Sequence, residues 1–231
     1  MCDIQARDLG HSSAPLWQAS TVTTPPILTS HPLIEEILDA HADRARGDEA
    51  GFAGYRGHVY RVFNLARGLV DEADDRDDKL AIAAAFHDIE AFAGLDYLAP
   101  SITTQDAWLE RTGRSKWSDE LAVVVAMHHR VGTYRGRHAR LAEPLRRADL
   151  ADLSQGLIRS GIPKEHVRAV RGTFDVGSFF TRTVPRAALR NLVRRPLDPL
   201  PHTRARRALE RSGHATPSPQ RPRPPRSRRP R

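Results

Sequence analysis

Residues 79–88 read KLAIAAAFHD, and this stretch constrains the chain more than any other. Leu80, Ala83, Ala84 and His87 fall on one face of a helix, and the residues between them are also apolar. AIAAAF makes this the most apolar helix of the chain. A histidine and an aspartate, His87 and Asp88, follow AIAAAF deep in that helix. An isolated buried carboxylate is costly unless it is paired or bound to a cation. Whatever packs around this helix must answer that charge.

The flanking pattern says what does the packing. Residues 30–200 read as helices almost throughout, with no clear strand alternation. Ser30 is placed to cap a helix beginning at Pro32, with Leu33, Ile34, Ile37 and Leu38 on its inner face and Gly47 at its end. A second helix is expected from about Tyr55 to Val70. Asp71–Asp78 reads as an acidic loop, with Asp77 or Asp78 capping the apolar helix. Pro100 and Ser101 read as loop, and Thr103 as the cap of a short helix ending near Gly113. Ser118 reads as the cap of a helix running through LAVVVAMHH, although Val123–Val125 also suit a strand. Further helices are expected at about Glu143–Leu153, Pro163–Arg171 and Val184–Arg194. The fold class is all-α, a bundle of about seven helices by this pattern.

Both ends differ from this body. Residues 1–29 mix Ser, Thr, Pro and Ala without helical period, and residues 201–231 are rich in Arg and Pro; both are expected to be disordered tails. Residues 202–231 carry ten arginines against one glutamate, so the other 201 residues sum to a net charge of −1 within a total of +8. A basic tail can bind nucleic acid through phosphate contacts. The chain uses 33 arginines and only 3 lysines, so the tail reads as a compositional bias and a nucleic-acid partner is not expected. Cys2 is the single cysteine, which excludes a disulfide within the chain and suits a reducing compartment. No apolar run approaches the roughly 20 residues a membrane helix needs, and the expected location is the cytoplasm, with no membrane partner.

Two more places put ionisable residues where the period wants apolar ones. His58 shares a helix face with Val62 and Leu65, and Asp149 and Asp152 lie three apart within LRRADLADL. Taken singly, His58 could be an ordinary core histidine, and Asp149 could pair with Arg146 or Arg147. Taken together, His58, His87, Asp88 and Asp149 make a mixed nitrogen and oxygen donor set. Such a set suits Mn, Fe, Co, Ni or Zn better than a thiolate-loving ion, and Mg remains open. Two ionised carboxylates also neutralise one divalent cation, and one ion is the expected count.

A histidine in GHVYRVFNLA, a His-Asp doublet in AAAFHDIEAF and a distant aspartate in RRADLADL, in that order, resemble the HD superfamily of metal-dependent phosphohydrolases. The resemblance covers roughly residues 55–155. It implies an HD-type helical bundle with His58, His87, Asp88 and Asp149 as metal ligands. It implies a hydrolase acting on a nucleotide or small phosphate ester through a metal-activated water. DYLAPS (Asp96–Ser101) and His128–His129 resemble features of one HD subgroup, in which a histidine of the intervening helix reaches the substrate or a second metal. By spacing, His128 shares a face with Leu121, Val124 and Val125 and is favoured over His129 as the inward one. The implied catalytic roles fall to three residues. Asp88 binds and orients, His128 stabilises an oxygen or donates a proton, and Asp152 holds a histidine ligand by its other ring nitrogen.

One departure stands out. Many HD proteins follow the doublet with a small residue, then Gly and a cation; here Glu90 and Ala91 occupy that place. Glu90 is read first as a surface acid, with extra ligand or general base as alternatives. Lys116, Arg130, Arg146 or Arg147 would have to supply the missing charge. The departure keeps hydration of small nitrile-like substrates open; nucleotide binding without turnover is a further alternative, opposed by the intact set of four ligands.

Overall fold

The computed structural model describes residues 24–70, 73, 75–94, 96–130, 132–175, 177 and 205–216. Among them are eight α-helices and no strand: α1 Pro32–Ala40, α2 Glu49–Arg67, α3 Arg76–Phe86, α4 Leu98–Arg111, α5 Ser118–Met127, α6 Ala139–Leu153, α7 Lys164–Thr173 and α8 Ala205–Arg211. The all-α expectation holds. The expected helix at Val184–Arg194, the segment 1–23 and the end of the tail from residue 217 lie outside the described residues.

α3 forms the centre. Every residue from Leu80 to Phe86 is fully buried, and the alanines at 81 and 83–85 let α2 and α5 approach its axis closely. α1 covers another side of α3 with Leu33, Ile34, Ile37 and Leu38, as its period requires. α2 lies against α6, α3 and α7, and α5 lies against α4 and α6. Val123–Val125 are helical and buried, so the competing strand reading fails: α5 is enclosed on all sides, and packing overrides the β-branched preference.

Several boundaries differ from the pattern, each for a local reason. α1 is capped by His31, not Ser30, because Pro32 holds the residue before it in an extended conformation (φ −145°, ψ 125°). It ends well before Gly47: His41 Nδ1 donates to the Ile37 carbonyl (2.7 Å), and a 3₁₀ turn at Ala42–Ala45 leads to Arg46 and Gly47, both with positive φ. α2 begins at Glu49, six residues earlier than expected, because Asp48 caps it by accepting from the Gly51 amide (2.9 Å). The glycines inside α2 lower its helix propensity, but Gly57 is required. A Cβ there would lie 2.4 Å from the Asp175 carbonyl oxygen, which follows α7. α3 begins at Arg76, so neither Asp77 nor Asp78 is its cap; Asp77 instead accepts from Arg67 (3.0 Å) and Arg76 (2.8 Å). Pro100 and Ser101 belong to the first turn of α4, where proline's missing donor is not needed, and Thr103 is no cap. Ser118 is the first residue of α5, with its hydroxyl donating to Asp106.

α8 corrects the reading of residues 201–231 as a disordered tail over Ala205–Arg211, which are helical. Ala205, Ala208 and Leu209 form a buried face against α4 and α5, while Arg206 and Arg207 point outward. Arg211 pairs with Asp96 (3.1 Å), and His214 with Asp106 (2.7 Å). No described helix is long and apolar enough to cross a membrane.

Leu209 is fully buried, so Leu209→Ala should lower unfolding stability by about 2–5 kcal/mol. Arg207→Ala, on the outer face, should change it by no more than about 0.5 kcal/mol. Urea titration of both variants checks this; equal effects would mean that α8 is not docked.

Candidate metal centre

Four helix segments deliver the ionisable residues to one buried place. His58 projects from the middle of α2. His87 caps the C-terminus of α3 in helical conformation (φ −57°, ψ −36°), and Asp88 follows in the turn beyond it. His128 and His129 stand just past the end of α5, and Asp149 and Asp152 project from α6. The doublet therefore sits at the end of its helix, not deep within it. His58, His87, Asp88, His128, Asp149 and Asp152 are all buried.

The histidines are held in a common way. His58 Nδ1 donates to Asp152 Oδ2 (2.7 Å), His87 Nδ1 to the Ala84 carbonyl (2.7 Å) and His128 Nδ1 to the Val125 carbonyl (2.6 Å). A carbonyl or ionised carboxylate only accepts, so in each ring the proton is on Nδ1 and the Nε2 lone pair of the neutral form faces inward. His58 Nε2 and His87 Nε2 then confront each other at 2.9 Å. Asp149 Oδ1 lies 3.4 Å from the first and 3.9 Å from the second, and Asp88 Oδ2 lies 3.7 Å from His87 Nε2. His128 Nε2 lies 3.2 Å from Asp88 Oδ1. Asp88 Oδ1, Asp149 Oδ1 and His128 Nε2 are buried without a hydrogen-bond partner among the described residues.

Lone pairs of imidazole and carboxylate, converging in a buried interior, repel unless positive charge lies between them. The geometry supplies two overlapping groups that could hold a metal ion, His58–His87–Asp88 and Asp88–His128–His129, each with its donor atoms within 4.8 Å of one another. Asp149 closes on the first group through the distances above. The donor set fits a divalent cation.

Without such an ion, protons do the neutralising. Burial pulls His58 down, but hydrogen bonds to Asp149 and Asp152 outweigh it and raise its pKa to about 9. Burial lowers His87 to about 4, with the neighbouring histidines adding to the effect. Asp88 and Asp149 resist the upward push of burial and stay well below the usual carboxylate range, held there by the surrounding histidines.

Around the donors lies a supporting layer. Arg61, fully buried on α2, donates from Nε to Asp152 Oδ1 (2.7 Å) and from Nη1 to the Asp175 carbonyl (2.6 Å); Arg171 approaches the same Asp152 oxygen at 3.3 Å. Asp152 thus reaches His58 at its other ring nitrogen, where the sequence put it. Tyr55 packs beside His58 and His87, and its hydroxyl donates to the Ala85 carbonyl (2.8 Å).

Three expectations change. His129 also faces the site, with Nδ1 3.3 Å from Asp149 Oδ2 and Nε2 hydrogen-bonded to the Tyr97 hydroxyl. His128, still helical in its dihedrals, is the more buried of the two, as its helical face predicts; His129, one residue further past the end of α5, reaches the site as well. Glu90 is not a surface acid: it is buried, accepts from the Thr104 hydroxyl (2.8 Å) and lies 3.5 Å from Arg44. Asp149 pairs with histidines and not with Arg146 or Arg147. Arg146 is committed to Glu143 (2.7 Å) and to the Arg130 carbonyl (3.1 Å), and Arg147 donates to the Ser160 carbonyl (2.5 Å).

Comparison with protein-family models, with curated proteins and with solved structures gives no match for this chain.

His58 and His87 predict a pH dependence for the metal-free protein. Unfolded His87 takes up a proton near its ordinary 6.5, whereas the folded protein resists until about 4. The unfolded chain therefore binds more protons in that window, and stability should fall as pH falls from 6.5 to 4. His58 acts oppositely: its proton is kept in the folded state up to about 9, so stability should fall as pH rises from 6.5 to 9. Urea midpoints measured in chelator across pH 4–9 should peak near pH 6–7, and a profile still rising at pH 9 would contradict this charge assignment.

Proposed function

We propose that this chain is a metal-dependent hydrolase of the HD type. In this reading His58, His87, Asp88 and Asp149 hold one divalent ion. The observation that carries it is the approach of His58 Nε2 to His87 Nε2 at 2.9 Å, with both Nδ1 atoms already committed to acceptors. A proton on His58 answers that contact in the absence of an ion, and a shared divalent cation answers it together with Asp88 and Asp149. The order of the four residues, which resembles the HD pattern, agrees with the same reading.

A divalent ion supplies Lewis acidity and a water of lowered pKa. The chain's own residues do the rest. Asp88 faces both His87 and His128 and is positioned to orient a nucleophilic water with the oxygen that does not bind the ion. His128 has burial working against its proton, but the Asp88 carboxylate more than compensates and raises its pKa. It is suited to donate a proton from Nε2 to a leaving oxygen. Asp152, clamped by Arg61 and Arg171, fixes the tautomer of His58. The preferred substrate is a nucleotide or a small phosphate ester.

A second reading, hydration of a small nitrile-like group, draws support from the cations. Of the four that might meet a phosphate, Arg146 and Arg147 are committed elsewhere and Lys116 lies over the Trp117 ring at 5.5 Å. Arg130, exposed beside His129, is the remaining source of positive charge among those four.

Purified protein should contain about one divalent ion per chain, and His87→Ala/Asp88→Ala should contain none while keeping its helicity. Stoichiometric metal in that double variant would overturn the site. Asp152→Asn should keep the ion but weaken its affinity by about 10–100-fold. A panel of phosphate esters and small nitriles assayed with the metal-loaded protein separates the two chemistries. Turnover of phosphate esters that falls on Arg130→Ala supports the first reading, and turnover of nitriles alone supports the second.

A further inference from the structure

The two ligand groups share Asp88, yet their histidines are not alike. His58, His87 and His128 each commit Nδ1 to a backbone carbonyl or to Asp152 and turn Nε2 inward. His129 has both ring nitrogens engaged. Its Nδ1 stands 3.3 Å from Asp149 Oδ2, a carboxylate that can only accept. Its Nε2 is hydrogen-bonded to the hydroxyl of the buried Tyr97. That nitrogen is also the one that faces Asp88 Oδ1, at 3.9 Å. It is the atom the group Asp88–His128–His129 would need as its third donor.

We propose that Tyr97 limits the site to a single ion, by holding His129 Nε2 in a hydrogen bond and so withholding it from the second ligand group. The inference rests on the metal-site reading above and adds to it a cause for the ion count. Tyr97 is a positioning residue in this account. It keeps His129 Nδ1–H directed at Asp149, so that His129 orients a ligand without becoming one. The other two members of the second group are adjacent: His128 Nε2 and Asp88 Oδ1 lie 3.2 Å apart. Tyr97→Phe removes one oxygen, keeps the ring in its pocket and releases the third donor.

The test is native mass spectrometry of the full-length chain, stripped with chelator and titrated with Mn(II) or Zn(II). Wild type should take one ion, Tyr97→Phe two, and Tyr97→Phe/His129→Gln one again. Far-ultraviolet circular dichroism confirms that each variant is folded. If Tyr97→Phe does not fold, ¹⁵N shifts of the wild-type imidazoles decide. His129 should show a protonated Nδ1 and an unprotonated, hydrogen-bonded Nε2, and a protonated Nε2 would overturn the proposal. Two ions in the wild type, or one in Tyr97→Phe, would overturn it while leaving the four-residue site intact. No ion in the wild type would overturn the site itself.

Discussion

The structure depends on two imidazole nitrogens from different helices being held face to face in the buried interior. His58 on α2 and His87 at the end of α3 meet at 2.9 Å. Neither ring can rotate away without breaking the bond that its Nδ1 makes. The alanines of α3 bring its axis close enough to α2 for the meeting to occur. Packing thus forces an electrostatic problem that packing cannot solve, and positive charge must be supplied from elsewhere.

The surrounding charges are arranged to keep that demand local. Asp152 would be a third uncompensated carboxylate were it not bonded by Arg61 and approached by Arg171. Arg61 in turn reaches the Asp175 carbonyl beyond α7, in the gap that Gly57 leaves open. A backbone requirement on α2 therefore serves an ion pair, and the ion pair serves the orientation of His58. On the other side Asp88 and Asp149 are left with oxygens that have no hydrogen-bond partner. Asp152 is bonded through both oxygens, whereas Asp88 and Asp149 each keep a buried oxygen without a hydrogen-bond partner among the described residues, beside the unpartnered His128 Nε2.

Much of this could be read from residue order. His58, His87, Asp88 and Asp149 interrupt apolar periods on separate helices, and an interruption of that kind is visible without a structure. Asp152 followed from its spacing to Asp149. His129 did not, because a helical face separates neighbours by about 100°, and that rule stops where α5 ends at Met127. Tyr97 gave no signal, since a buried phenol in a sequence looks like any core aromatic. Glu90 was misjudged because its partner Arg44 lies in a 3₁₀ turn 46 positions earlier, and that proximity exists only after folding. α8 was hidden by its composition. The arginines dominate the count, while the three small and apolar residues that dock it obey an ordinary i, i+3, i+4 spacing.

Glu90 also bears on what the pocket can recognise. An acid directly after the His-Asp turn, if exposed, would repel an anionic substrate approaching Asp88. Buried against Thr104 and opposed by Arg44, its charge is largely spent within the wall that joins the Ala42–Ala45 turn to α4. The position where the HD pattern has glycine instead carries an acid that fastens two segments together, and Ala91 stands where the pattern has its cation. Under the proposed phosphohydrolase reading, contact with a phosphate falls to Arg130, which is exposed and follows the partly exposed His129. That reading divides the labour between the buried ends of α3 and α5 with α6, which would hold the ion, and the turn that leaves α5, which would meet the substrate.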